Sequence, residues 1–319
     1  MIIVRSPFRI SFFGGSTDYE SFYEAYGSFI IGTTIDKYVY LSMRPRPSIL
    51  SSESVITYSK LQLVKSWDEI QNPLIREVLK YRAINIPIEF NSFSDIPSRT
   101  GLGGSSSFCV GMLYLLNQIF GKKHDPKELA KEAIAIERRI LNEPGGIQDQ
   151  IWPAYGGLNT IEIEKNGKFL VKPLPVTHDF LKEFQDSMVM IYTNSQRNQD
   201  TIAQSHENKD KLEIMKLAKE AYGYFIREDI KGIGNMLYST WQEKIKISNL
   251  ISTSQINTIV DEVMAMGAHG VKLLGAGGCG FVLVICDPPI KKRIAEKFGP
   301  AVFDFQFERN GVSTIYPIG

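Results

Sequence analysis

Between Asp95 and Leu116 the chain reads DIPSRTGLGGSSSFCVGMLYLL, and this stretch restricts the fold more than any other. A strand-like run, IPIEFNSF, leads into it. An apolar segment of helical length, Ser105 to Phe120, leads out and is closed by Gly121. A strand, a Gly/Ser loop and a helix in that order make an anion site. The glycines let backbone N–H groups approach a ligand, and the helix N-terminus adds unsatisfied donors and a partial positive charge. A triphosphate is the natural occupant. No Gly-Lys-Ser/Thr closes the loop, so it is not a Walker A loop; phosphate would be held by main-chain dipoles and the metal left to side chains. The plain alternative is a glycine-rich connection that permits tight packing, with serines capping the helix.

Around this loop the first half mixes strands and helices. IIVRSPFRISFF and FIIGTTIDKYVYLSM read as strands joined by a GGSTDY turn. HDPKELAKEAIAIERRILN opens a helix, with Asp125 as cap, Pro126 in the first turn and Glu128 three residues after the cap. Asn166-Gly167 marks a hairpin tip. Prolines cluster near Leu174 to Val176, which places a domain boundary there and divides the chain into 1–175 and 176–319. The second half reads as a strand (SMVMIYT), three helices between about Asp200 and Met266, and the strands VKLL and FVLVIC. A helix (IKKRIAEKF) and a last strand (VFDFQF) follow. Such segregation argues an α+β fold rather than a doubly wound sheet.

Composition excludes several functions. A net charge of +1 over 319 residues gives no reason to expect nucleic acid or an anionic membrane as partner. Arg5 and Pro7 interrupt the first apolar run, so it does not read as a signal peptide. No stretch approaches the roughly 18 apolar residues of a membrane span. Cys109, Cys279 and Cys286 form no C-x-x-C pair and fall in apolar contexts, as buried thiols of a reducing cytoplasm do. The four histidines lack metal-ligand spacing. The sequence leaves a homodimer open.

Two further stretches carry candidate chemistry. GVKLLGAGGCGFVLVIC contains G-x-G-x-x-G at Gly275, Gly277 and Gly280, but a strand follows it where a dinucleotide fingerprint opens a helix. A loop between two strands with close backbone approach fits better. In FRISFFGGSTDY, Arg9 sits in an apolar strand and Asp18 follows a Gly-Gly turn. Alone, these could be a salt bridge and a turn aspartate.

Together the three stretches resemble the three motifs of the GHMP kinase superfamily, in order and across essentially the whole chain. SPFRISFFGGSTDY corresponds to the first, PSRTGLGGSSS to the phosphate loop and KLLGAGGCGFVLV to the third. The resemblance implies a two-domain fold with its active site in the cleft between the domains. The N-terminal domain would be ribosomal-protein-like and βαβ, the C-terminal domain ferredoxin-like. Gly14-Gly15-Ser16-Thr17-Asp18-Tyr19 lacks the glutamate and histidine of galactokinases, and the whole first motif looks like that of the D-glycero-D-manno-heptose 7-phosphate kinases. L-fucose kinases are the runner-up. A GHMP fold without activity, used as a binding module, is the rival from another class. Ser6 stands where a threonine is usual, and Gly104 where the family often has a serine.

The resemblance also implies roles. Asp149 would accept the proton of the attacking hydroxyl, and Arg9 would polarise that hydroxyl and orient Asp149. Pro97, Gly101, Leu102, Gly103, Gly104, Ser105, Ser106 and Ser107 would cradle ATP, while Ser105 and Glu137 would hold Mg²⁺. Leu129, Ala133, Ile136 and Ile140 form an apolar stripe with Glu137 at its edge; the alternative is a surface glutamate paired with Arg139 or Lys131. Asp18, with Gly14, Gly15, Ser16 and Thr17, would bind sugar hydroxyls. Arg197 would hold the substrate's own phosphate, and Gly277 and Gly278 would line the site from the second domain. The expected partners are therefore ATP and a small sugar phosphate.

Overall fold

The computed structural model describes residues 1–47, 49, 53–194, 199–205 and 210–316. Two long strands, β1 (Ile2–Phe13) and β2 (Ser28–Pro45), pair antiparallel and form the spine of the larger sheet. The turn between them does not pass straight from strand to strand, because a short helix, α1 (Glu20–Tyr26), follows it. Next come β3 (Ser54–Thr57), β4 (Leu61–Val64), α2 (Pro73–Tyr81) and β5 (Ile88–Ser94). β5 lies antiparallel to β2 and parallel to β3. The chain then runs through the Gly/Ser loop into α3 (Gly104–Ile119). This helix is almost wholly buried against the sheet; a Cβ at its Gly111 would lie 2.9 Å from Leu41 Cδ1.

α4 (Pro126–Ile134) starts as the sequence predicts, with Asp125 Oδ1 accepting from the N–H groups of Lys127 and Glu128 at 2.8 and 3.3 Å. It continues into a π-helical segment, Ala135–Ile140, marked by Leu141 N–H donating to the Ile136 carbonyl at 2.9 Å. α5 (Gln148–Tyr155) leads to the hairpin of β6 (Asn159–Ile163) and β7 (Phe169–Pro173), with Gly167 at φ +78° in its tip.

After an irregular link, α6 (His178–Asp186) and β8 (Met188–Tyr192) begin the second sheet. α7 (Gln199–Gln204), α8 (Leu212–Ile226), α9 (Ile230–Ile247) and α10 (Ser254–Ala265) precede β9 (Gly270–Leu273). β10 (Phe281–Ile285), α11 (Pro288–Phe298) and β11 (Val302–Phe303) complete it. The order β11-β8-β10-β9, antiparallel throughout, places fourth, first, third and second strands side by side. That is the ferredoxin-like arrangement, and the α+β, two-sheet architecture expected from the sequence is the one adopted.

The run VFDFQF is not one strand. It changes sheets at Asp304–Gln306: β11 ends on β8, whereas β12 (Phe307–Glu308) pairs with β2. Asp36 fixes the crossing, since its N–H donates to the Gln306 carbonyl at 2.9 Å and its Oδ1 accepts from Gln306 N–H at 2.7 Å. β13 (Ser313–Tyr316) then pairs with β1. We propose 175/176 as the domain boundary, within the link between β7 and α6, with this tail returning to complete the first sheet. Phe12, Phe184, Phe225 and Phe307 fill the join, with Phe12–Phe184 and Phe184–Phe225 ring centroids 5.5 and 5.4 Å apart. Among the described residues, no helix is long and apolar enough to cross a membrane.

Candidate active site

A cleft of about 1500 Å³ opens where the two sheets meet, and the expected phosphate loop, residues 97–107, forms one wall. Gly101 and Gly103 hold φ of +79° and +77°, a conformation that side chains disfavour, and Gly103 is the N-cap of α3. The first-turn N–H groups of this 16-residue helix have no intrahelical acceptor and belong to residues that line the cleft. Pro97, Gly101, Gly103, Gly104, Ser105 and Ser106 all line it. Leu102 and Ser107 do not. The Leu102 side chain is buried while its carbonyl accepts from Arg9 N–H, and Ser107 Oγ donates to the Pro7 carbonyl at 2.8 Å. Those two secure the loop from behind. A Cβ at Gly104 would lie 2.9 Å from Phe8 Cε1, so this position is matched to the Phe8 ring and has no room for a serine without displacing it.

Glu137 is buried, not paired at the surface. Its carboxylate accepts from Ser105 Oγ at 2.9 Å, Ser106 Oγ at 2.6 Å and Gln150 Nε2 at 2.5 Å. The surface partners go elsewhere, Lys131 to Glu128 and Arg139 to Glu20. The π-helical segment explains why the expected stripe breaks. Its wider turn leaves Ile136 and Glu137 inside but turns Ile140 out to 47% exposure. Among the described residues no group of three or more His, Cys, Asp or Glu gathers to hold a metal. A carboxylate and a serine hydroxyl at a phosphate loop nevertheless suit Mg²⁺, which takes hard oxygen donors and keeps waters and phosphates as its other ligands.

Arg9 and Asp149 meet in the cleft. Arg9 Nε and Nη2 donate to the two Asp149 oxygens at 2.8 and 3.0 Å, and Nη1 donates to the Gly101 carbonyl at 2.7 Å. This bidentate fork fixes the carboxylate plane and ties it to the phosphate loop. Arg9 is buried, whereas the Asp149 side chain keeps 28% exposure toward the cleft. Asp149 lies in the first turn of α5 rather than in a loop, where the helix dipole favours a carboxylate. Arg138 holds the loop before it, donating to the carbonyls of Glu143, Pro144 and Gly146 at 3.0, 3.2 and 3.1 Å.

Asp18 is more committed than the sequence implies. It accepts from Ser16 N–H at 3.1 Å and from Gln148 N–H and Nε2, both at 3.0 Å. Three of the roughly four acceptor positions of a carboxylate are thus taken, leaving about one for a ligand. Burial, and then the nearby Asp149 charge, raise its pKa. Gly15 and Ser16 line the cleft beside it, while Gly14 and Thr17 build the turn. Thr17 N–H and Oγ1 both donate to the Gly14 carbonyl, at 3.1 and 2.7 Å.

The second glycine cluster grips the phosphate loop itself. A Cβ at Gly275 would fall 2.3 Å from Gly101 Cα, and one at Gly280 would fall 2.2 Å from the Thr100 carbonyl oxygen. Gly277 and Gly278 do not line the cleft as expected. A Cβ at Gly277 would meet Ile251 Cα at 2.8 Å, and Gly278 N–H donates to the Ile251 carbonyl at 2.8 Å, so these two fit the loop onto its own domain. Arg197 lies outside the described residues.

Two lysines that the sequence reading missed complete the cleft floor. Lys244 Nζ donates to the carbonyls of Gly275 and, at 3.4 Å, Leu273. Lys272 Nζ donates to the carbonyls of Ser11 and Phe12 at 3.2 and 2.7 Å. Burial, with Arg9 adding repulsion, lowers Lys244 to about 7, and burial also drives Lys272 well down. Periodicity could have found Lys244: it continues the buried stripe of Ile233, Leu237, Thr240 and Trp241 along α9.

Known proteins match this chain throughout. The family described as GHMP kinases N terminal domain matches residues 72–157, and that described as GHMP kinases C terminal matches residues 221–304. The sequence is 28% identical to a D-glycero-alpha-D-manno-heptose 7-phosphate kinase of Campylobacter jejuni, over 98% of each chain. It is 30% identical to a mevalonate kinase of Methanocaldococcus jannaschii over 70% of each chain. A solved structure described as a D-glycero-D-manno-heptose 1-phosphate kinase from Bacteroides thetaiotaomicron superposes with a TM-score of 0.83 over 100% of both chains, at 22% identity. With its two halves matched in order and its fold shared from end to end, the chain belongs to the GHMP kinases.

Proposed function

We propose that this kinase transfers the γ-phosphoryl group of ATP to the anomeric hydroxyl of D-glycero-D-manno-heptose 7-phosphate, giving heptose 1,7-bisphosphate for nucleotide-activated heptose and surface polysaccharide. The coarser assignment, a sugar phosphotransferase of the GHMP kinase family, follows from the matches. The observation that carries the chemistry is the Arg9–Asp149 fork, set in the cleft between the phosphate loop and the Asp18 turn. The intact Arg9–Asp149 fork supports a catalytic reading over a binding module without activity.

In the proposed reaction Asp149 takes the proton of the attacking hydroxyl. That oxygen forms a bond to the γ-phosphorus on the side opposite ADP. The bond from phosphorus to the bridging oxygen breaks, and its electron pair leaves with ADP. Arg9 keeps Asp149 aimed, and the first-turn N–H groups of α3 hold the phosphates. Ser105 and Glu137 would hold magnesium, which when bound neutralises phosphate charge. An anomeric hydroxyl is more acidic than an ordinary alcohol, so a site with one carboxylate and one arginine suffices to activate it. Arg197 is proposed as the handle for the C7 phosphate.

Two measurements follow. A screen of ADP release with heptose 7-phosphate, mannose, fucose and galactose is expected to give the highest kcat/KM with heptose 7-phosphate. A clear preference for fucose would move the assignment to the fucose kinases. Glu137→Gln should raise the magnesium concentration for half-maximal rate by at least about tenfold, on the scale of perturbed metal sites. An unchanged magnesium dependence in active protein would make Glu137 a purely structural acceptor for Ser105 and Ser106.

A further inference from the structure

The phosphate loop contains one cation, Arg99, which is exposed and held at φ +63°, and it has no lysine. The positive charge of the cleft floor comes from elsewhere: Arg9 from β1, Lys244 from α9 and Lys272 from β9, all buried. Arg9 pairs with Asp149, and all three line the cleft that Asp149 and the buried Asp18 also line. Among the described residues no carboxylate forms an ion pair with either lysine, and the neighbours that weigh on their charges are other cations. Buried positive charge in excess is costly unless an anion joins it.

Their positions separate the two lysines. Lys272 donates to the Ser11 and Phe12 carbonyls of β1, away from the phosphate loop, and so straps the second sheet to β1. Lys244 binds the carbonyl of Gly275, whose own Cα packs against Gly101. Its ammonium therefore sits one glycine behind the phosphate loop. An ammonium has three donors, and the two carbonyls account for two of them, leaving one for a ligand in the cleft that Lys244 lines.

We propose that Lys244 contacts the phosphoryl group being transferred, supplying from the second domain the cation that the loop itself lacks. Gly275 makes the arrangement work, because only a residue without a side chain lets the lysine-bearing domain approach Gly101 so closely. A phosphate at the far end of a sugar acceptor is the other anion a lysine here could meet. The contact through Gly275 to Gly101, and the nearness of Arg9, favour the reacting end. The lowered basicity of Lys244 agrees, since an arriving anion restores its charge. The inference rests on the phosphotransferase assignment and is independent of which sugar accepts.

The test compares equilibrium binding of ADP and of the β,γ-imido analogue of ATP, with magnesium and without any sugar, in the native protein and in Lys244→Met. Affinity for the analogue is expected to fall by about tenfold or more, the scale of one charge-assisted contact, while affinity for ADP stays within about twofold. Lys244→Arg should recover part of the loss. Equal weakening of both nucleotides would show that Lys244 only props the glycine loop, and would overturn the proposal. Unchanged nucleotide binding with a raised KM for a phosphorylated sugar would overturn it in favour of the acceptor's phosphate. Should Lys244→Met not fold, Lys244→Gln, which keeps a donor for the Gly275 carbonyl, carries the same comparison. If the native protein phosphorylates no sugar, the acceptor assignment fails separately, and this comparison is still read.

Discussion

Asp149→Asn is expected to lower turnover by at least about a hundredfold, the low end of general-base effects, with ATP affinity close to native. The substitution preserves shape and removes the basic oxygen. It also turns an N–H₂ group toward the Arg9 fork, where Nε and Nη2 now find two acceptors at 2.8 and 3.0 Å. One of those hydrogen bonds must be lost, and the guanidinium is left buried without its counter-charge. ATP should still bind, because the phosphate loop keeps its own supports. Arg9 N–H still donates to the Leu102 carbonyl, Ser107 Oγ still donates to the Pro7 carbonyl, and α3 still presents its first-turn donors. Single-turnover rates and nucleotide binding on the same preparation separate the two effects. Near-native turnover would remove Asp149 from the reaction.

Gly275→Val should reduce activity to background. Gly275 holds φ +71°, which a β-branched residue disfavours, and its Cβ would fall 2.3 Å from Gly101 Cα and 2.8 Å from the Gly101 carbonyl oxygen. Those atoms are backbone and cannot rotate aside. The loop must withdraw, which parts the second sheet from the phosphate loop and removes Lys244 from the cleft floor. Gly277→Val provides the contrast. Its Cβ meets Ile251 within the second domain, at 2.8 Å from the Cα, so the expected loss is of stability, with activity kept in the folded fraction. Thermal unfolding together with activity per folded molecule distinguishes them. Full activity in folded Gly275→Val would mean that the close approach to Gly101 is not needed.

Local chemistry was legible in the sequence where neighbouring residues dictate it. The loop before α3, the Asp125 cap, the Asn166-Gly167 tip and the strand after the second glycine cluster all follow from adjacent residues, and all appear. What escaped depends on contacts distant in the chain. The sheet change within VFDFQF is set by Asp36, which lies far away in sequence. Lys272 looks like an ordinary surface lysine until Ser11 and Phe12 bring carbonyls to it. Glu137, at the edge of the expected stripe, does enter the core, but Ile140 leaves it because of a π-helical segment that period-3.6 reasoning cannot foresee. The resemblance implies that Gly277 and Gly278 line the site, yet they face Ile251, whereas Gly275 and Gly280 make the close backbone approach the sequence predicts, against the phosphate loop. A sequence shows that a backbone must come close, not what it comes close to.

The proposed reaction is tested most directly by ³¹P NMR of the product formed from ATP and heptose 7-phosphate. An anomeric phosphate should appear as a new signal split by the single proton on C1, beside the retained 7-phosphate, with one ADP formed per sugar and the reducing end lost. A product that still reduces copper or tetrazolium, or whose new phosphate couples to protons of another carbon, would contradict transfer to the anomeric hydroxyl.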